Sequence, residues 1–168
     1  PTLTILSGQP DIDLASRLVD NQVIILTGDG TIPATNNDCA RKNIFFINGD
    51  LNIDGDLTIS GDSGCVFIVK EETVINFKGP TQIIKAFIIT KDFTSKNGLD
   101  TQDISTLTLK GGLITTNTNN FGRNVNNGFG YHPNIPSEEF IYEGARYLYH
   151  FQNIFKDATT FGVKDLQY

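Results

Sequence analysis

An all-β chain wound as a short parallel β-helix is the fold class this sequence predicts, and three observations predict it. The first is a ten-residue motif, Ile44-Phe45-Phe46-Ile47-Asn48-Gly49-Asp50-Leu51-Asn52-Ile53, that recurs in weaker form along the chain. Its five copies start at residues 23, 44, 66, 86 and 106, and so lie 21, 22, 20 and 20 residues apart. A fixed period of this size is the signature of a stacked repeat. The second observation is the pattern inside each copy: four apolar residues, a polar turn of about three, then alternation. The second column reads Ile24, Phe45, Phe67, Phe87, Leu107 and the fourth reads Leu26, Ile47, Val69, Ile89, Leu109. Strand side chains alternate with period two, so these columns share a face and form two apolar ladders. The third observation is that the copies run in one direction. An up-and-down barrel or a sandwich is the alternative, and it would need hairpin turns every 8–12 residues or so. About 21 residues at roughly 3.3 Å each close a coil of modest perimeter, and such coils stack about 4.8 Å apart. The expectation is a right-handed β-helix of about five coils.

Taken in order, residues 1–22 open with Leu3-Thr4-Ile5-Leu6, a short strand, followed by a predicted helix over 11–20. Asp11 or Asp13 can cap that helix, and Ile12, Leu14, Leu18 and Val19 have near-helical spacing. A short amphipathic helix in front of a strand stack is an end cap. Residues 23–116 carry the repeats, with further short strands at Leu57-Thr58-Ile59 and Gln82-Ile83-Ile84. The first column (Val23, Ile44, Val66, Ala86, Thr106) and the third (Ile25, Phe46, Ile68, Ile88, Thr108) should face away from the ladders, yet they are largely apolar. A strand apolar on both faces is covered on both faces. Residues 117–135 are rich in Asn and Gly with no apolar period, which predicts a long loop. Residues 136–168 are aromatic, with Phe140, Tyr142, Tyr147, Tyr149, Phe151, Phe155, Phe161 and Tyr168. Pro136-Ser137-Glu138-Glu139 reads as a helix start, and Tyr147, Leu148 and Phe151 have helical spacing. This segment is the expected cover for the outer columns, and the four stretches together form one domain.

The 168 residues, 39% of them hydrophobic and 19% charged, suit one folded domain with a real core. A net charge of −6 argues against a nucleic-acid backbone or an anionic membrane as the main partner, since both call for a basic patch. No apolar run approaches the roughly 20 residues of a membrane span. Methionine is absent, so Pro1 is expected to mark a processing site or an excision boundary in something longer. The two cysteines, Cys39 and Cys65, lie just before the second and third copies, and on stacked coils a loop can fold back to bridge them. Two buried free thiols are the alternative. The disulfide is the preferred reading, and it implies an oxidising, extracytoplasmic location.

Few residues carry a signal for chemistry. The seventh column holds Asp29, Asp50, Glu72 and Asp92, a ladder of carboxylates that would be weak calcium candidates because hard cations take carboxylate oxygens. Solvated turn residues beside glycine are the plainer reading, so no metal or other cofactor is expected. The run from Asp50 to Asp56 matches the first half of an EF-hand loop. Its twelfth position is Gly61 and its apolar residues alternate as in a strand, so the EF-hand is rejected. His132 and His150 have no cysteine or acid at ligand spacing, and there is no phosphate loop or nucleophile elbow. Arg123, among Phe121, Phe129 and Tyr131, marks a candidate loop for a carboxylated or sugar ligand. Hydrogen bonding within its own loop is the alternative. The structural bets are Phe45, Phe46, Phe67, Phe87 and the two cysteines.

The five copies, the Asn120-Phe121-Gly122-Arg123 loop, and the stretch from Pro136-Ser137-Glu138-Glu139-Phe140 to Tyr149 carry a resemblance. Coil length and Gly-Asp turns resemble the short-coil, polymer-forming bactofilins, which have no such aromatic tail. The stack-plus-cap layout is similar to extracellular adhesin or pilus-associated β-helix proteins. It also looks like bacterial surface proteins that combine a β-helix, an Arg-containing loop and a Tyr-rich C-terminal segment. The resemblance implies a non-enzymatic structural or adhesive module, secreted or at the cell surface, as a filament subunit or the C-terminal domain of a larger protein. Its partners would be protein, by self-assembly or within the parent chain, with carbohydrate second. The alternative is a polysaccharide lyase or hydrolase using Asp50, Glu72, Asp92 and Lys70 or Lys91 on one outer face.

Overall fold

The computed structural model describes residues 2–8, 11–14, 20–35, 37–61, 63–76, 79, 81–96, 106–123 and 137–147. Strands begin with β1 (Thr2–Leu6), β2 (Gln22–Leu26), β3 (Gly30–Ile32) and β4 (Asp38–Cys39). They continue with β5 (Lys42–Ile47), β6 (Leu51–Ile53), β7 (Thr58–Ile59) and β8 (Gly64–Ile75). Last come β9 (Thr81–Ser95), β10 (Thr106–Thr115), β11 (Asn119–Phe121) and β12 (Glu138–Tyr142). Every pairing among them is parallel. The chain is a parallel β-solenoid of about four turns.

Three stacks of strands line the coil. On the first, Thr4, Ile24, Phe45, Phe67, Ile88 and Leu113 lie directly over one another. On the second, Thr31, Asn52, Val74, Thr94 and Asn120 do the same. On the third, Leu57, Ile84, Leu109 and Phe140 are aligned. The interior is one apolar column in which Phe45 and Phe67 stack with ring centres 5.0 Å apart. Each fully buried side chain of this kind contributes roughly 1.5–3 kcal/mol. The disulfide between Cys39 and Cys65 is formed, with Cα atoms 5.8 Å apart, tying β4 to the start of β8.

The register corrects the expected columns beyond the third copy. Val66 stacks on Phe87, not Ala86, and Phe87 stacks on Gly112. Residues 106–111 pair with 81–86 instead of forming a fifth copy of the first stack. A one-residue slip moves every side chain of a strand to its other face. Ala86 and Ile88 therefore point inward, and Phe87 points out. The outer columns are accordingly Val23, Ile44, Val66, Phe87 and Ile25, Phe46, Ile68, Ile89. Their expected cover begins where a helical turn at 144–147 sets Tyr147 over Ile44, Val66 and Phe87, its ring 6.1 Å from that of Phe87.

Three local expectations change. The helix start at 136–139 gives way to strand β12, because the open edge of β10 offers ladder hydrogen bonds from Leu107 to Gly111. Such tertiary pairing overrides local propensity. The Asn-rich loop likewise includes strand β11, laid on Phe93, Thr94 and Ser95. At the other end, Asp11 forms a parallel bridge to Thr31, and Ile12 and Leu14 plug the bottom of the core. Residues 11–14 are thus extended or turned; the rest of the expected helical cap, 15–19, lies outside the described residues. Leu148, Phe151 and the rest of the aromatic tail do too.

Candidate functional site

The acidic column runs along the corner between the first and second stacks, and its carboxylates hold coil to coil. Asp29 Oδ1 accepts from the Asp50 N–H at 2.9 Å, and Asp50 Oδ1 accepts from the Glu72 N–H at 2.9 Å. Glu72 Oε1 accepts from the Thr94 hydroxyl. Asp92 Oδ1 accepts from the Thr118 N–H at 2.9 Å and from Asn117 Nδ2 at 2.8 Å. Those bonds, led by the one from the Thr118 backbone, hold the Asp92 carboxyl below the usual carboxylate range. Each of the three aspartates caps the turn of the coil above it, as an N-cap residue caps a helix, satisfying a backbone donor that would otherwise be exposed at a corner, whereas Glu72 binds a side-chain hydroxyl. The coils approach so closely there that a Cβ on Gly49 would sit 2.9 Å from the Asp29 nitrogen.

Near the top of this corner Glu72, Asp92, Phe93, Thr94, Asn117, Thr118 and Asn120 line an open cleft of about 350 Å³. Lys91 pairs with Glu71 at 2.9 Å, which raises its pKa through that hydrogen bond and charge. Lys70 is exposed at the edge of a different, largely apolar groove with Ile25, Phe46 and Ile68. The residues named for a sugar-cleaving site therefore divide: Glu72 and Asp92 share a cleft, while Asp50 lies one coil below and Lys70 apart. Among the described residues no three His, Cys, Asp or Glu side chains converge as a metal-binding group.

Arg123 does not project from its loop. It is 6% exposed, and its Nη2 donates to Gln82 Oε1, while its backbone N–H donates to Glu138 Oε1 at 2.9 Å. Glu138 Oε1 also accepts from the Ser95 hydroxyl at 2.9 Å, and Gln82 Nε2 donates to the Gly55 carbonyl at 2.7 Å. Burial lowers the Arg123 pKa, and the Glu138 charge offsets only part of that; a guanidinium stays protonated through such shifts. This network joins β9, β11 and β12 to the coil below. Gln82, Ser95 and Glu138 were missed in the sequence. The only available signal was a polar residue at an inward position, which needs the true register to be seen.

Phe121 lies half-exposed at the top of the coil, packed on Phe93 and Phe140 with ring centres 5.9 and 5.4 Å away. Leu109, Gly112, Leu113, Phe121, Phe140, Ile141 and Tyr142 line an apolar hollow there of about 270 Å³. Phe129, Tyr131, His132 and His150 lie outside the described residues. No helix among the described residues is long and apolar enough to cross a membrane.

These features define a parallel β-solenoid with one disulfide, carboxylate-capped corners and an apolar upper end. No protein-family model, no curated protein and no solved structure matches the chain.

Proposed function

We propose that this chain is a non-enzymatic structural or adhesive β-solenoid module that works outside the cytoplasm, at the cell surface or secreted. The observation that carries the reading is how its polar side chains are used. Asp29, Asp50 and Asp92 cap neighbouring coils, and Arg123, Gln82 and Glu138 bind one another. A general acid needs a raised pKa and a proton to give, whereas Asp92 is held below the ordinary carboxylate range by bonds that also fix its position. The disulfide supports an oxidising compartment, where such bonds form and persist. Self-assembly into a filament, or service as one domain of a longer surface protein, are the finer versions of this role.

The cleft at Glu72 and Asp92 is what favours the second reading, a lyase or hydrolase acting on polysaccharide. Incubating the full chain with acidic and neutral polysaccharides, with and without calcium, separates the two. Reducing ends and the absorbance of unsaturated products are the readouts. No turnover is expected under any condition; turnover abolished by Asp92→Asn would replace the structural reading with the enzymatic one.

A further inference from the structure

The large hydrophobic side chains that remain exposed are not scattered. Among the described residues they are Leu3 and Ile5 in the first rung, and Ile114, Phe121, Phe140 and Tyr142 in the last ones. The middle of the stack contributes none to that set. An edge strand with apolar side chains and unpaired backbone groups is a template for another strand.

The upper edge has a definite shape. β12 begins a further coil by pairing with Leu107–Gly111 of β10, so the next rung of the first stack would lie over residues 112–115. Among the described residues nothing fills that rung. Glu143 N–H donates to the Gly111 carbonyl at 2.7 Å, and the helical turn at 144–147 then carries the backbone onto the outer face. Residues 112–115 are paired below, to 87–90, and no described strand lies above them. At the bottom, β1 is a five-residue strand of the same stack, paired above to β2 and to no described strand below.

We infer that β1 of a second copy of this chain docks in the rung over residues 112–115, building head-to-tail assemblies. The register carries the argument. Ile5, Ile25, Phe46, Ile68, Ile89 and Ile114 form one continuous outward column through the stack. A second copy continuing the ladder places its Ile5, 62% exposed in the single chain, on Ile114, which is 48% exposed. Its Leu3 falls over Gly112, where the outward-pointing Phe87 ring fills the space a side chain would take and offers an apolar surface, and its Thr4 over Leu113. Both edges belong to the same stack and run in the same direction, so a head-to-tail contact preserves the parallel pairing used throughout. A two-fold contact of β1 with β1 would have to be antiparallel. A contact of this heterologous kind does not close on itself and propagates. The inference rests on the structural role proposed above and names its partner.

Sedimentation velocity of the full chain from micromolar to near-millimolar concentration tests it, using wild type, Ile5→Lys, Ile114→Lys and an equimolar mixture of the two variants. Both positions are outward and exposed, so far-UV circular dichroism of each variant should match wild type. Ile5→Ser and Ile114→Ser are the milder pair if a lysine perturbs folding. Lysine also reduces the net charge of −6, so lost association cannot be laid to added repulsion. Wild type is expected to grow past the dimer, and each variant alone to associate at least about tenfold more weakly. The mixture should form a dimer and stop, because one intact edge of each kind remains. A wild type that stays monomeric, with residues 113–115 protected from hydrogen exchange, would show the rung occupied by the chain's own residues and overturn the inference. Variants that assemble like wild type, or a wild type that stops at a dimer, would overturn it as well. Loss of assembly without polysaccharide turnover would leave the structural reading standing; turnover alone would remove that reading and leave this contact untouched.

Discussion

Tyr147 shows how one side chain fixes where the C-terminal segment meets the stack. Its ring is fully buried against Phe87, Ile44 and Val66, and its hydroxyl donates to the Lys110 carbonyl at 3.4 Å. Burial pushes the phenol up to about 12, since the phenolate would lose its hydration. A folded-state pKa above the unfolded value of about 10 means that the associated stability is complete below pH ~10 and is lost as pH rises towards ~12. Relaxation and water penetration reduce such burial penalties in folded proteins, so the expected loss is about 1–2 kcal/mol across that window. Urea titrations at pH 8 to 11.5 should show it, and Tyr147→Phe should flatten that part of the profile while costing under about 1 kcal/mol at neutral pH. An unchanged alkaline slope in the variant would mean that the phenol is not buried as described. The sequence pointed to an aromatic cover over the outer columns, because strands apolar on both faces need one. It did not single out Tyr147, whose helical spacing with Leu148 and Phe151 looked no different from that of its neighbours.

At the scale of elements, the sequence was legible as long as coils shared a length and a corner. The first three motif copies lead into Gly28-Asp29, Gly49-Asp50 and Glu71-Glu72, and their expected register holds in the pairing of β2, β5 and β8. β9 breaks that regularity. It runs 15 residues from the third stack through the first to the second, and apolar residues occur on both its faces. In such a strand alternation cannot distinguish Ala86 from Phe87 as the inward residue. Only the neighbouring strands decide. The carboxylate column survived the error because Glu72 still stacks on Asp92 across the irregular step after Val69. Strands β11 and β12 had no legible signal, since both form on edges that other strands supply. The disulfide was legible because its two cysteines lie a few residues before successive copies, an offset short enough for a loop to bridge on stacked coils. It closes a loop with a sequence separation of 26, which in the chain-entropy view stabilises the fold by about 3.5 kcal/mol. Guanidinium unfolding of Cys39→Ala/Cys65→Ala is expected to show a loss of that order. A loss below about 1 kcal/mol would mean that the stack alone already restricts the unfolded chain between β4 and β8.

Across the whole molecule, stability should follow position in the stack. In a solenoid each coil touches its neighbours above and below, so an end coil has half the support of a central one. The central strands β5 and β8 and the middle of β9 are paired on both edges and carry the stacked Phe45 and Phe67. β1 is paired on one edge and leaves Leu3 and Ile5 in water. The two ends also differ. Ile12 and Leu14 plug the bottom of the core, whereas the top holds the apolar hollow between Leu109, Leu113 and Phe140. Amide exchange reports such local opening directly. In dilute solution the slowest amides should be those of Phe45, Phe67 and Ile88, approaching the rate of global unfolding. Those of β1 should exchange at least about a hundredfold faster, a gap of roughly 2.7 kcal/mol in opening free energy. Head-to-tail docking adds a second condition: protection of β1 and of residues 113–115 should rise together with protein concentration while the central amides stay unchanged. Uniform protection along a dilute, monomeric stack would show instead that the solenoid opens as one cooperative unit, with its ends held as firmly as its middle.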